Sequence, residues 1–171
     1  MNYPIAIPTF KRGEQFKELS PKDGSYKNRY VTSQYIELVF EHPIIGPTQK
    51  ITFGDEKGNI WLTITHKSII ISKDYAWNGC SPKKWWGFWW GTPDFEKTII
   101  ASLVHDALIQ FINTKHFPFS RYECDNIFKN ILNQNKFKLV DEYYVGVRVG
   151  SKILPNNKYI GKFVLTIDSA D

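Results

Sequence analysis

The spacing of apolar residues changes character about halfway along the chain. In the first half they fall in short runs with a period near two. Tyr35 to Glu41 (YIELVFE) partly alternates and is rich in β-favouring residues, which predicts a strand. His42 to Pro47 then carries Pro43, Gly46 and Pro47, the chemistry of a loop. Lys50 to Phe53 and Ile60 to Thr65 are two further runs of Ile, Phe, Trp and Thr. The Gly54-Asp55-Glu56-Lys57-Gly58-Asn59 turn between them predicts a β-hairpin with a longer loop. Ser68 to Ser72 reads as a short buried strand that leads into Asp74-Tyr75-Ala76-Trp77. Met1 to Thr32 is polar and interrupted by Pro4, Pro8 and Pro21, so an irregular arm with at most one short strand is expected there.

After Gly91 the period lengthens to that of a helix. Thr92 suits an N-cap, Pro93 the first helical position, and Asp94 and Glu96 add negative charge to the first turn. The helix should run to about Asn113. Phe95, Ile99, Ile100, Leu103, Val104, Leu108, Ile109, Phe111 and Ile112 cover most of its circumference, which marks a central helix and not a surface one. Ser120-Arg121-Tyr122-Glu123 is a capping box that opens a second helix, whose apolar stripe is Cys124, Ile127, Phe128, Ile131 and Leu132. Val140 to Val149 reads as a third helix, although Tyr143, Val145 and Val147 suit a strand equally. Pro155 should end it, and Tyr159 to Ile167 has the composition of a returning strand.

The expected fold is therefore α+β: a small, mostly antiparallel sheet from the N-terminal half, packed on a helical hairpin plus a third short helix. One domain spans 1–171, with an arm at 1–32, the sheet at 33–78, a Trp-rich loop at 79–91, the helical part at 92–154 and a C-terminal strand or tail at 155–171. A chain of 171 residues with 42% hydrophobic content can bury one continuous core. The net charge of +5 is compatible with an anionic partner without demanding one, and no run of like charges concentrates the excess, so nucleic acid is disfavoured. Met1 to Glu14 lacks the apolar core of a signal peptide. The weakly charged stretch from Thr98 to Thr114 is shorter than the roughly 20 residues that a membrane span requires. Cys80 and Cys124 make neither a disulfide framework nor a zinc site; two reduced thiols are expected, with a single bridge as the alternative.

Candidate chemistry centres on the long helix. Between Lys97 and Lys115 its only ionisable side chains are His105 and Asp106. A buried carboxylate costs several kcal/mol unless it finds a donor, a cation or a proton. Arg121 and Asp125, one turn apart on the second helix, can supply partners: Asp125 by accepting from His105, or Arg121 by pairing with Asp106. The constellation suits a general base (His105) with an orienting carboxylate (Asp125), or a His/Asp/Asp metal site with Asp106 as ligand to a divalent cation such as calcium. It suits equally a buried polar network that fixes helix packing.

Two further segments stand out. Tyr75 to Lys83 ends a strand in an Asn-Gly turn, and its Asn78 amide and Ser81 hydroxyl are candidate ligands or substrate contacts, although turn chemistry alone accounts for Asn78-Gly79. Cys80 would serve as a nucleophile only beside His105. Lys83 to Gly91 (KKWWGFWWG) holds four Trp and a Phe. With Trp86 and Trp89 outward it would meet a membrane surface, a cell-wall polymer or a host protein; otherwise it is a plug over the core. His42, His66 and His116 stand isolated.

The stretch from Tyr75 to Phe128 resembles a bacteriophage and prophage family catalogued as domain of unknown function 1353. The resemblance lies in Trp77-Asn78-Gly79-Cys80-Ser81-Pro82, in Leu103-Val104-His105-Asp106-Ala107-Leu108, and in Ser120, Arg121, Asp125 and Phe128. Many relatives carry Asp where this chain has Asn78. The resemblance implies a phage or prophage origin, and a place in the bacterial host cytoplasm or the virion, without an established activity. More loosely, the His-Asp pair is similar to the helix pair of phospholipases A2. That likeness implies His105 as the water-activating base, Asp106 as a calcium ligand and Asp125 as the holder of His105. This chain has Ile109 where that motif has Tyr, and lacks the glycine-rich calcium loop and the disulfides. The expected function is a phage-encoded, hydrolase-like protein with a His/Asp/Asp centre. The alternative is a non-enzymatic accessory, virion or host-factor-binding protein that uses the Trp-rich surface.

Overall fold

The structure, a computed structural model, describes residues 5–7, 11–19, 30–80, 95–153 and 166–169. Its elements are β1 (Ile5–Ala6), β2 (Phe16–Glu18), β3 (Tyr30–Thr32), β4 (Ile36–Phe40), β5 (Gln49–Gly54), β6 (Ile60–Ile64), β7 (Ser68–Ile71), β8 (Ala76–Trp77), α1 (Glu96–Phe111), α2 (Arg121–Gln134), α3 (Val140–Ile153) and β9 (Thr166–Ser169). The class is α+β.

Alternation decides which face each strand buries. In β4, Ile36, Leu38 and Phe40 point into the core, while Glu37 and Val39 point out. Leu62 and Ile64 of β6 and Ile69 and Ile71 of β7 extend that buried face. All neighbouring strands run antiparallel, in the order β1-β4-β7-β6-β5-β9. The β5–β6 turn is held by Asp55, whose carboxylate accepts from the Lys57 and Asn59 amides at 3.0 Å each. Gly54 lies so close to the Asn59 carbonyl that a side chain there would force the turn apart.

The N-terminal arm departs from expectation. It contributes three strands, not one at most, and two of them build a separate sheet in the order β2-β3-β8. Strands of two or three residues carry too little alternation to register in a sequence pattern. Their purpose is aromatic: Phe16, Tyr30 and Trp77 are fully buried, and the Tyr30 and Trp77 rings lie 5.3 Å apart.

Helix α1 lies at the centre, as its apolar circumference predicts: eleven of its sixteen residues are buried. Phe111 stacks on Phe53 of the larger sheet at 5.4 Å. Its interior polar residues receive the smaller sheet. Ser102 accepts from the Trp77 indole (3.2 Å) and Gln110 from the Tyr75 hydroxyl (2.7 Å). The helix starts later than expected, at Glu96 with Phe95 in the cap position, and the Thr98 hydroxyl donates back to the Phe95 carbonyl (2.9 Å). Thr92 and Pro93, the expected start, lie outside the described residues.

Helix α2 follows its capping box as read, with the Glu123 amide bonded to the Ser120 hydroxyl and the Glu123 carboxylate to the Ser120 amide. The Asn135 amide near the end of α2 reaches the Lys97 carbonyl near the start of α1, and mid-α1 faces the first turns of α2, so the two helices run antiparallel. The third segment is a helix, α3, from Val140 as expected. The returning strand is seen at β9, which overlaps the expected range at Thr166 and Ile167 and pairs with β5. Among the described residues no helix is long and apolar enough to cross a membrane.

Candidate functional site

Three helices converge on one carboxylate. Asp125, in the first turns of α2, is fully buried and carries three donors. The His105 Nε2 lies 2.8 Å from its Oδ1 and the Arg121 Nε 3.3 Å from the same oxygen, while the Arg148 Nη1 lies 3.0 Å from Oδ2. Charge-assisted bonds of this kind are what make a buried carboxylate tolerable. Of the two pairings open at the outset, the structure takes His105 with Asp125, and Arg121 turns to Asp125 and not to Asp106.

The electrostatics follow from the charge count. Burial pushes the Asp125 carboxyl up, but the His105 bond, the Arg148 bond and the Arg121 charge together hold it below the usual carboxylate range. Burial pushes His105 down; Asp125 raises it in part and Arg121 opposes a further positive charge, so His105 stays below its ordinary value. Two guanidiniums already face one carboxylate, and an imidazolium would be the third cation. His105 is thus neutral near pH 7. Because Asp125 is an ionised acceptor, Nε2 must carry the ring proton, which leaves the Nδ1 lone pair as the basic position.

His105 is 7% exposed and lines a small pocket of about 20 Å³, room for little more than a water molecule, together with Gly79, Cys80, Ser102, Asp106, Phe128, Tyr143, Gly146 and Val147. Asp106 is half-buried and shares this pocket. Asn78 is half-buried just before the pocket-lining Gly79, and its side-chain oxygen is buried without a hydrogen-bond partner among the described residues. Cys80 shares the pocket with His105, and its thiol donates to the Thr98 carbonyl at 3.9 Å. Cys124, next to Asp125, is pushed up to about 12 by burial and by the neighbouring carboxylate. Neither cysteine is in a disulfide. Ser81, Trp86 and Trp89 lie outside the described residues, as does the whole Trp-rich stretch.

As for a metal, both Asp125 oxygens are committed to cationic or N–H donors, and no group of three or more His, Cys, Asp or Glu among the described residues could hold an ion. The described donor set does not fit a His/Asp/Asp metal centre.

Arg148 is the partner that the sequence reading missed, along with the α3 wall of Tyr143, Gly146 and Val147. The available signal was slight: Arg148 is the lone basic residue between Lys138 and Lys152. It becomes informative only once Val140 to Val149 is known to be helical.

No family model, curated protein or solved structure matches this chain. The site has to be read from its own geometry.

Proposed function

We propose that the protein is a hydrolase whose general base is His105. The observation that carries this reading is the 2.8 Å contact between the His105 Nε2 and the buried Asp125, which assigns the ring proton and leaves Nδ1 basic in a residue that lines a pocket. In the reaction, Nδ1 takes a proton from water as the water oxygen attacks an acyl or phosphoryl centre. Asp125 stabilises the imidazolium that forms, and the proton then passes from Nδ1 to the leaving group. Asp106, beside the base, is assigned to contact the substrate or the attacking water. No step runs through a metal ion. The likeness of His105, Asp106 and Asp125 to the phospholipase A2 helix pair supports the roles of His105 and Asp125 by analogy of arrangement. A phage or prophage origin is carried as part of this proposal on the family resemblance alone.

The test is His105→Gln, because a Gln amide can still donate to Asp125 and so spare the fold. Nitrophenyl acetate and bis-nitrophenyl phosphate serve as generic acyl and phosphoryl substrates. The natural chain should hydrolyse one of them, and the variant should be slower by about 10²–10⁴-fold, the usual worth of a general base, with its melting temperature nearly unchanged. Equal rates for the two proteins, or no hydrolysis by either, would leave the His105–Asp125 pair a packing device.

A further inference from the structure

We propose that Arg148 is a positioning residue, resting on the reading of His105 as base: by holding the second oxygen of Asp125, it keeps the first aimed at the His105 Nε2. Arg121 and Arg148 are not equivalent. Arg121 sits one turn before Asp125 on the same helix and shares Oδ1 with His105, at 3.3 Å. A carboxylate gripped at one oxygen alone can swing about its terminal torsion, which is broad for Asp. Arg148 comes from a different helix and grips Oδ2 at 3.0 Å. With both oxygens held, the carboxylate plane is set.

The guanidinium is itself located, since its Cζ lies 5.5 Å from the centre of the Tyr122 ring on α2. Arg148 thus bridges α3 to α2 at the level of the base. The preceding turns of α3 supply Tyr143, Gly146 and Val147 to the pocket wall. One helix therefore both closes the pocket and locks the tautomer that makes Nδ1 basic. A chain in which α3 has moved away has neither a complete pocket nor a defined base.

The experiment is nitrogen and proton NMR of the His105 ring in the natural chain and in Arg148→Gln, Arg148→Lys and Arg121→Gln. The natural chain should show one tautomer, with the proton on Nε2 and protected from exchange. Arg148→Gln should show mixed tautomers and an Nε2 proton that exchanges roughly tenfold faster or more, the factor supplied by a lost hydrogen bond between charged groups. Arg148→Lys, which keeps a cationic donor, should restore the single tautomer, and Arg121→Gln should disturb it less than Arg148→Gln. If Arg148→Gln does not fold, Tyr122→Leu, which removes only the ring beneath the guanidinium, should give an intermediate degree of mixing. A folded Arg148→Gln with one tautomer and unchanged exchange would overturn the proposal, even if its melting temperature fell. Loss of the base reading is seen separately, as unchanged hydrolysis in His105→Gln, and does not alter the tautomer result.

Discussion

At the scale of single residues, the centre makes acid the protein's weak point. The Asp125 carboxyl and the His105 ring are both held below their ordinary values in the fold. A group whose folded value is depressed contributes stability above its unfolded value and loses it as pH falls towards the folded one. For His105 the loss begins near its ordinary 6.5, where the unfolded chain starts to bind a proton that the fold resists. For Asp125 it begins near the ordinary 3.8. The melting temperature should therefore decline below about pH 6.5 and steepen near pH 4, and His105→Gln should flatten the upper limb. Asp125→Ala should cost about 3–5 kcal/mol near pH 7, because it leaves two guanidiniums facing a buried gap. Urea unfolding across pH measures both. A variant that loses under about 1 kcal/mol would mean that the arginines find water once the carboxylate is gone.

Elements differ in how far they could be read in advance, and the reason is how local their signals are. The start of α2 needs only Ser120 and Glu123, three residues apart, so it was legible. His105 was legible because it and Asp106 are the only ionisable residues between Lys97 and Lys115, so burial demands partners, and Asp125 because it lies one turn from Arg121 on the neighbouring helix. Arg148 belongs to α3, where Tyr143, Val145, Val147 and Val149 fit strand or helix alike, so its direction had no meaning until the helix was known. β2 and β3 owe their place to Phe16, Tyr30 and Trp77 meeting across distant stretches, which no local pattern records. The pocket wall on α3 gives a prediction of its own. Gly146 lies mid-helix, where glycine costs about 0.5–1 kcal/mol relative to alanine, and an added Cβ meets nothing within 4 Å. Gly146→Ala should raise the melting temperature by roughly 1–4 °C for a chain of this size, and should slow hydrolysis by narrowing the pocket. A variant that is stabilised and fully active would show that this glycine faces away from the substrate path.

At the scale of the whole molecule, the site is assembled from parts of unequal security. α1 is enclosed by aromatic contacts from both sheets: Phe53 meets Phe111, and Trp77 reaches Ser102. α3 is anchored mainly to α2. Tyr144 bonds Asn126 at 3.2 Å, Lys129 pairs with Asp141 at 2.8 Å across an exposed surface, and Arg148 reaches Asp125. Exposed pairs of this kind contribute little, and Val145 of α3 is left 57% exposed. Local opening free energy follows buried contact, so α3 should open at a lower free energy than α1. Amide hydrogen exchange should find the α1 core from Ala101 to Leu108 protected to the global limit, and the α3 amides from Tyr144 to Val149 exchanging through a smaller opening. Because α3 carries both the pocket wall and the Arg148 clamp, a ligand that fills the pocket must bind the docked form, and by linkage it should slow exchange in α3 while leaving α1 unchanged. Equal protection of the two helices would make the three-helix cluster a single rigid block, and pocket access would then have to come from the side of Gly79 and Cys80.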